Sequence, residues 1–258
     1  MLRFRNLGSG SSGNATVVEA GSGARTVRLL VDCGLGIREL DRRLARALLL
    51  PEQIDAIFIT HEHADHIGCA RAFARRCGTP VWMSAGTLAA LNQPDFADTP
   101  HIAADGCGID LGVLQLMPFT VPHDAREPLQ LRCSDGQREL GILTDLGHAS
   151  DHVLSHLQGC HALLLECNHD AQLLADGAYP AFLKRRVGGL HGHLSNADAA
   201  TLAQALDHAA LEHVIAAHLS LQNNRPELAR AAIAAALQRK PEQIGIADPT
   251  HGTPWVHL

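Results

Sequence analysis

A dense run of potential metal ligands lies about a quarter of the way along the chain. His61, His63, Asp65 and His66 fall within six residues, directly after the apolar residues 57–59. Imidazole and carboxylate are ligand groups of zinc and other first-row divalent ions. Because such crowding is costly unless something binds the side chains together, the run predicts a metal site.

Three further polar residues lie where later strands are predicted to end. Each closely follows an apolar run: His123, Asp145 and His218. Open α/β sheets place functional residues at the ends of their strands. Any one of the three could be a turn residue or a structural histidine. Together they predict that the site is completed from distant parts of the chain.

Alternating strands and helices must position these residues. The apolar patterns predict strands at residues 2–7, 15–20, 26–31, 53–60, 80–83, 109–121, 129–133, 139–144, 163–166 and 214–217. They predict helices at residues 37–50, 67–76, 85–91, 196–211 and 226–237. A surface loop is expected over residues 92–108, and 214–217 is expected to be the last core strand. This alternation predicts an α/β or α+β fold in one domain, residues 1–258.

Two segments near the amino terminus have two interpretations each. Residues 8–14 contain three glycines and could form an anion-binding nest or a plain hairpin loop. Ser11, Ser12 and Asn14 are therefore candidate substrate contacts. Asp32 follows the third predicted strand and could orient a metal ligand through a hydrogen bond, or it could cap the next turn.

Two later segments could contact a phosphate group. Lys184, Arg185 and Arg186 form a compact basic cluster that could bind phosphates or could be a solvated helix face. Ser195 and Asn196 lie at the predicted start of a helix, with Asn196 as a possible cap. Backbone N–H groups attract anions at such a position.

Other histidines and possible nucleophiles carry weaker signals. His193 could assist a leaving group or could be structural, and His169 has the same two interpretations. No Gly-x-Ser-x-Gly motif is present, and Cys33 has no evident base partner, so a serine or cysteine nucleophile is not supported.

The composition excludes several classes of protein. Hydrophobic residues make up 46% and charged residues 19%, as in globular proteins. The net charge of −6 argues against a broad nucleic-acid surface, although local basic patches remain compatible with it. Seven cysteines without a C-x-x-C pair predict reduced thiols. We see no membrane span or signal peptide and expect a cytoplasmic protein that does not bind membranes.

The ligand pattern resembles the metallo-β-lactamase superfamily over essentially the whole chain. The resemblance rests on Thr-His-Glu-His-Ala-Asp-His at residues 60–66, followed by His123, Asp145 and His218, with Asp32 as the first motif. Short segments also resemble the YycJ/WalJ-type branch, namely residues 8–14, 121–125, 168–170, 184–186, 192–196 and 217–220.

This resemblance implies a four-layer αββα sandwich with a dinuclear metal site at one edge. The residues implied to hold the first ion are His61, His63 and His123. Those implied for the second ion are Asp65, His66 and His218, with Asp145 bridging both. Asp65, Asp145 and His193 are the candidate catalytic residues. Zn²⁺ is the expected metal and Mn²⁺ the alternative, because the ligand set contains no thiolate.

The branch resemblance implies a phosphodiesterase that acts on DNA as a 5′-to-3′ exonuclease through a metal-bridging hydroxide. The main alternative is a small-molecule hydrolase of the same fold that cleaves a thioester, a lactone or a cyclic phosphate. A metal-dependent binding protein without turnover is a further alternative. An open groove beside residues 184–186 would favour nucleic acid, whereas a deep apolar site would favour a small molecule. The sequence carries no prediction of oligomeric state.

Overall fold

Two β-sheets form the framework of the protein. The computed structural model describes residues 1–92, 96 and 98–258. The first sheet contains β1 (Leu2–Gly8), β2 (Ala15–Ser22), β3 (Arg25–Val31), β4 (Ala56–Phe58), β5 (Val81–Ser84) and β6 (His101–Ala103). The second contains β7 (Ile109–Asp110), β8 (Gln115–Thr120), β9 (Leu129–Ser134), β10 (Glu139–Leu143), β11 (Ala162–Glu166), β12 (His213–Ala217) and β13 (Ile244–Ile246). A last strand, β14 (Val256–His257), returns to the first sheet beside β1.

Helices connect many of these strands. They are α1 (Ile37–Arg46), α2 (Ala64–Ile67), α3 (Ala70–Cys77), α4 (Ala85–Ala90), α5 (Asp151–Leu157), α6 (Ala171–Asp176), α7 (Ala181–Val187), α8 (Asn196–Ala205) and α9 (Pro226–Ala236). None of the helices in the described part of the chain is long and apolar enough to cross a membrane.

The strand order brings several strand ends to common edges. The first sheet has the order β14-β1-β2-β3-β4-β5-β6, in which β3 to β6 are parallel. The second has the order β13-β12-β11-β10-β9-β8-β7, in which β10 to β13 are parallel. Since neighbouring parallel strands end at the same edge, the residues that follow β10, β11 and β12 lie side by side.

The strands are apolar on both faces because both faces are covered. In β4 and the residue after it, Ala56 and Phe58 pack between the two sheets, whereas Ile57 and Ile59 pack toward α1 and α3. The second sheet alternates likewise between the shared core and α5, α8 and α9. Each buried Ile or Phe side chain contributes roughly 1.5–3 kcal/mol. The expected four-layer αββα sandwich is confirmed.

The core between the sheets draws on both ends of the chain, from Leu2 to Ala247. A core shared in this way supports a single domain over residues 1–258, which stays a prediction.

Three predicted helices are shorter than expected. The helix expected over residues 37–50 ends early because Leu48 is left-handed (φ 60°) and its side chain is exposed. The helix expected over residues 67–76 is divided into α2 and α3 at Gly68, whose φ is 25°. The helix expected over residues 196–211 corresponds to α8 and also ends early.

Two predicted strands also differ from the structure. The strand expected over residues 53–60 is only β4, because a 3₁₀ turn (Pro51–Gln53) precedes it. Residues 109–121 form the hairpin of β7 and β8, which turns at Gly112 with φ 87°. The turn was not predicted, because apolar residues lie on both sides of it in the sequence.

The remaining differences concern elements that the prediction left out. The loop expected over residues 92–108 contains β6, while its residues 93–95 and 97 lie outside the described part of the chain. The strand at 214–217 is not the last, since β13 and β14 follow it. Helices α5, α6 and α7 are not among those predicted. The other predicted strands and helices agree with the structure to within two residues.

Candidate metal centre

Three of the predicted site residues leave their strands with a left-handed backbone. The φ angle is 61° at Asp32, 59° at Asp145 and 54° at His218. Residues other than glycine rarely adopt this conformation, and such strain concentrates at functional sites. In each case the turn comes within two residues of the strand end, so it keeps the side chain at the edge of the sheet.

The segment that carries the first four ligands, residues 61–66, is held by the residues after β3 and by Asn14, which precedes β2. The Cys33 N–H donates to the His66 carbonyl at 2.8 Å, and the Asn14 N–H donates to the Asp65 carbonyl at 2.8 Å. Gly34 passes so close that a Cβ atom there would lie 1.6 Å from the Asp65 carbonyl oxygen. Only glycine fits at this position, and the close packing fixes the loop.

Three imidazole nitrogens converge in one half of the centre. The Nε2 atom of His61 lies 3.0 Å from Nδ1 of His63, and Nε2 of His123 lies 3.3 Å from the same atom. His61 and His123 are buried, and His63 is partly exposed. Three imidazoles that face one point form a ligand set for zinc.

A carboxylate and two imidazoles converge in the other half. Oδ2 of Asp65 lies 3.5 Å from Nε2 of His66 and 3.6 Å from Nε2 of His218. All three ligand atoms lie within 4.8 Å of one another. The Nδ2 atom of Asn14 lies 3.0 Å from Nε2 of His66, a contact that an ion at this nitrogen would replace.

Asp145 lies between the two halves. Its Oδ2 is 3.1 Å from Nε2 of His66, and its Oδ1 is 3.2 Å from Nδ1 of His218. A ligand atom of Asp145 also lies within 4.8 Å of His61 and His66 ligand atoms. The carboxylate can therefore reach both halves, as a bridging ligand must.

Two carboxylates hold the ring nitrogens that face away from the centre. Asp32 accepts a hydrogen bond from Nδ1 of His66 at 2.7 Å, and Glu166 accepts one from Nδ1 of His218 at 3.0 Å. Such partners fix the tautomer and orientation of a metal-binding imidazole. Of the two interpretations of Asp32, the structure therefore has the one in which it orients a ligand.

The two histidines of the first half that are buried have neutral partners on their outer nitrogens. Nδ1 of His61 lies 3.0 Å from Oγ1 of Thr60, and Nδ1 of His123 lies 3.1 Å from the Gly192 carbonyl. In both histidines, Nε2 is therefore the nitrogen that faces the centre.

Unpartnered buried atoms support a bound cation. Oδ2 of Asp145 and Nε2 of His218 are both buried without a hydrogen-bond partner among the described residues. Buried polar atoms are nearly always paired in proteins, so these two atoms call for a ligand. Together with the converging nitrogens, they fit divalent metal ions.

The two halves differ in their ionisation. Burial lowers the pKa of His61 well below its ordinary value and also lowers the pKa of His123, so both are neutral at pH 7. Burial has the same tendency at His218, but the charges of Asp145 and nearby carboxylates outweigh it and raise the pKa of His218 to about 10. A cation that binds to the second half must therefore displace protons.

The centre opens into a cleft of about 380 Å³. Its wall includes Asp65, Asp145, His193 and His218 from the centre, together with Arg186. The cleft reaches the surface at the exposed residues Ser11 and Arg186, and it is also lined by His63 of the first half and by Asp65 and His218 of the second. A substrate can therefore reach the side chains that converge there.

Comparison with known proteins agrees with this geometry. A family model described as a beta-lactamase superfamily domain matches residues 27–219. The chain belongs to the metallo-β-lactamase superfamily. A solved structure with the same fold is the metallo-beta-lactamase fold protein YhfI from Bacillus subtilis, with a TM-score of 0.75 at 17% identity over 99% of this chain and 98% of that one.

Two curated relatives of this superfamily member match nearly its full length. It is 35% identical to exodeoxyribonuclease YycJ of Bacillus anthracis, over 98% of this chain and 95% of the relative. It is 32% identical to exodeoxyribonuclease WalJ of Streptococcus pneumoniae, over 98% of this chain and 94% of the relative. The superfamily and these relatives identify the protein as a metal-dependent hydrolase.

Glu166 is a site residue of this superfamily member that the sequence analysis missed. It is fully buried at the end of β11, and its Oε1 accepts hydrogen bonds from Nδ1 of His193 at 2.8 Å and from Nδ1 of His218. Its other oxygen accepts from the backbone N–H groups of Leu146 and Leu194. The histidines lower the pKa of Glu166 to about 2 although burial opposes this, so it is ionised. In the sequence, the available signal for this residue was that Glu166 is the last residue of an apolar run.

Three side chains position the ring of His193 beside the centre. Nδ1 is bound to Glu166, and the ring centroids of His123 and His218 lie 5.3 Å and 5.2 Å away. Because Nδ1 is engaged, Nε2 is the nitrogen left for a substrate. His169 is buried nearby, and its Nδ1 has no hydrogen-bond partner among the described residues.

The glycine-rich loop at residues 8–14 is the hairpin connection between β1 and β2, and not an open nest. The N–H groups of Gly10 and Gly13 are used within the loop, by Oδ1 of Asn14 and the Gly10 carbonyl. Ser11 lines the cleft, whereas Ser12 is exposed outside it. Asn14 is buried and contacts ligand residues. A residue that was not predicted, Ser9, accepts the His218 N–H at 2.7 Å.

Only one residue of the basic cluster lines the cleft. Arg186 does so and pairs with Asp124 at 2.6 Å, although it is 61% exposed. Lys184 donates to the Ala175 carbonyl at 2.5 Å, and Arg185 is exposed on the same helix, α7. Lys184 and Arg185 therefore flank the cleft without lining it.

Ser195 and Asn196 are not brought to the cleft. Ser195, and not Asn196, caps α8, accepting the Asp198 N–H and donating to its carboxylate at 2.6 Å. Asn196 is buried in a reciprocal amide pair with Asn224, at 2.9 Å in each direction. Both side chains have partners within the protein, and a substrate contact by either residue stays a prediction.

Proposed function

We propose that the protein is a DNA exonuclease that hydrolyses phosphodiester bonds from 5′ ends. The observation that carries this proposal is the 35% identity to an exodeoxyribonuclease over 98% of the chain. The open cleft beside a basic helix supports it, because a nucleic-acid strand needs an accessible groove and cations for its phosphates.

Within this proposal, two divalent ions bind at the centre. The first is held by His61, His63 and His123, the second by Asp65, His66 and His218, and Asp145 bridges them. Zn²⁺ is the first choice and Mn²⁺ the second, since the ligands are imidazoles and carboxylates without a thiolate. When bound, such a pair lowers the pKa of a shared water and stabilises the attacking and leaving oxygens of a phosphodiester.

The residues of the chain have separate tasks in this scheme. Asp65 lines the cleft with its carboxylate and is positioned to accept a proton from the attacking water. His193 also lines the cleft, and Glu166 orients its ring. We assign His193 the transfer of a proton to the leaving oxygen, which is a general acid role.

The rim of the cleft supports a polymeric substrate. Tyr179 and Leu183 line the cleft with Arg186, and Phe182 on α7 is 65% exposed beside them. Exposed aromatic rings next to cations bind single strands, because bases stack on the rings while the cations meet the phosphates. Arg185 and Lys184 add charge on the same helix.

A labelled-DNA assay tests the proposal. Protein loaded with Mn²⁺ or Zn²⁺ is mixed with duplex DNA labelled at either the 5′ or the 3′ end. We expect the 5′ label to be released as mononucleotide at early times while the 3′ label stays on shortened strands. The Asp145→Asn variant, loaded in the same way, serves as the inactive control.

The same preparation is offered a thioester, a lactone and a cyclic phosphate. If it leaves DNA intact while hydrolysing one of these, the small-molecule alternative replaces the nuclease. Early release of the 3′ label alone would contradict the proposed polarity.

A further inference from the structure

A second group of potential metal ligands lies outside the centre described above. It consists of Asp105, in the loop between β6 and β7, and of His152 and His156, on α5. One ligand atom from each lies within 4.8 Å of the other two. None of the three takes part in the proposed reaction, so their convergence needs a separate explanation.

The two histidines are one helical turn apart. Residues at i and i+4 share one face of a helix, and two histidines with this spacing are a recurrent metal-binding pair. The ring centroids of His152 and His156 are 4.6 Å apart, and the ring planes meet at 67°. Two rings in this arrangement can direct a nitrogen each toward one point.

Contacts within the protein hold each ligand before any ion binds. Oδ1 of Asp105 accepts from the Thr120 backbone N–H at 2.7 Å and faces Nε2 of His152 at 2.8 Å. The ring of His156 is stacked on Phe119, with centroids 5.1 Å apart and planes within 11°. Because these side chains are already held, binding an ion would cost little further side-chain entropy, which favours affinity for the ion.

We propose that Asp105, His152 and His156 bind a divalent transition-metal ion of the Zn²⁺, Ni²⁺ or Cu²⁺ type. Two imidazoles and one carboxylate suit these ions, whereas Mg²⁺ prefers oxygen ligands. Because Asp105 and His152 are both partly exposed, the remaining coordination positions are open to water. Burial, and the neighbouring His152, lower the pKa of His156, which keeps its ring neutral and able to bind.

The position of this peripheral site suggests what the ion does. Thr120, which holds Asp105, lies three residues before His123, and α5 begins six residues after Asp145. An ion at the peripheral site therefore ties together the two segments that lead from β8 and β10 to the main centre. This consequence rests on the proposed metal centre, whereas binding at the peripheral site does not.

Metal counting tests the site. Metal-depleted protein is dialysed against Zn²⁺, and bound zinc is measured by mass spectrometry. We expect about one equivalent less in the double variant His152→Ala and His156→Ala than in the wild type. His251→Ala, which removes an exposed histidine elsewhere, is the matched control and should bind as the wild type does. Asp105→Asn is a second, milder variant that keeps an oxygen for Thr120.

Two results would overturn the proposal. One is an unchanged zinc count in a folded double variant and in Asp105→Asn. The other is the loss of every bound ion in Asp145→Ala, since the peripheral site should keep its ion when the main centre is disrupted. Both readouts are independent of DNA cleavage, so they separate this site from the proposed nuclease function. Thermal unfolding in Zn²⁺ gives a further readout, because the zinc-dependent rise in Tm should be smaller in the double variant than in His251→Ala.

Discussion

The two sheets contribute to the metal centre in different ways. The first sheet supplies His61, His63, Asp65 and His66 from the loop after β4 and the start of α2. The second sheet supplies one residue per strand end, with His123 after β8, Asp145 after β10 and His218 after β12. The ligands of the first sheet are therefore close together in the sequence, whereas those of the second sheet are up to 95 positions apart.

The two sets of ligands depend on different structural features. The contiguous loop is fixed by local contacts to Asp32, Cys33 and Gly34. The ligands of the second sheet depend on the register of β10, β11 and β12, and on two left-handed residues, Asp145 and His218. They also depend on Glu166, a buried carboxylate that holds two histidines at once. We therefore expect the ligands of the second sheet to be the more sensitive to substitution.

The largest effect should come from Asp145→Ala, because Asp145 is the residue that reaches both halves. Its loss removes the carboxylate between the ions and leaves His66 and His218 without their shared partner. A loss of several kcal/mol of transition-state stabilisation would lower kcat/KM on the order of 10³-fold. Metal analysis and single-turnover cleavage of labelled DNA measure the effect.

His63→Ala is the comparison from the first half. His63 is partly exposed and belongs to one trio alone, so its loss should cost less metal than Asp145→Ala. Equal losses of metal in the two variants would contradict the view that Asp145 joins the halves.

A smaller effect is expected when the carboxylates behind the ligands are changed. Glu166→Gln keeps the shape but removes the charge that orients His193 and His218. Asp32 contacts one proposed metal ligand, His66, and also accepts hydrogen bonds from Thr60, so Asp32→Asn affects a single ligand directly. Loss of such a partner costs about 10- to 100-fold in metal affinity or activity. We expect Glu166→Gln to lie at the upper end of that range and Asp32→Asn at the lower end.

The distinction between binding and catalysis sharpens this prediction. Glu166→Gln should reduce kcat even when saturating metal restores full occupancy, because His193 has also lost its partner. Asp32→Asn should be rescued by metal. A full rescue of both variants would show that Glu166 acts only through His218.

The same contrast explains how much the sequence could predict. The run at residues 60–66 is conspicuous because its ligand types are crowded into one loop, and the strand-end rule then selects His123, Asp145 and His218. The fold class follows from the alternation of apolar strands with helices. Glu166 could not be found in this way, since a single carboxylate at the end of an apolar run looks like a strand boundary.

The structure also shows which groups of the predicted substrate residues are already used within the protein. Ser195 and Asn196 have the residue types and position of an anion site, but tertiary contacts to Asp198 and Asn224 occupy their side chains. In the hairpin at residues 8–14, the N–H groups of Gly10, Gly13 and Asn14 are likewise used within the protein. Local sequence predicts which groups a segment offers, and only the packed structure decides which of them are already used.

The smallest effect concerns the rim of the cleft, where the two sheets also differ. Two rim residues, the aromatic Phe182 and the cationic Arg186, lie on α7. This helix comes after β11 of the second sheet. If Phe182 stacks on a base, Phe182→Ala should weaken DNA binding by about 1–3 kcal/mol, which is roughly 5- to 150-fold. KM for single-stranded ends should rise by a similar factor, while kcat at saturating DNA should be unchanged, because Phe182 would contact a base and not the reacting phosphate. Leu48→Ala is the matched control, because Leu48 is 91% exposed on the first-sheet side and far along the chain from α7. Equal KM values for DNA in the two variants would mean that the cleft binds the strand without a stacking contact to Phe182, and a loss of kcat in Phe182→Ala would mean that Phe182 supports the centre itself.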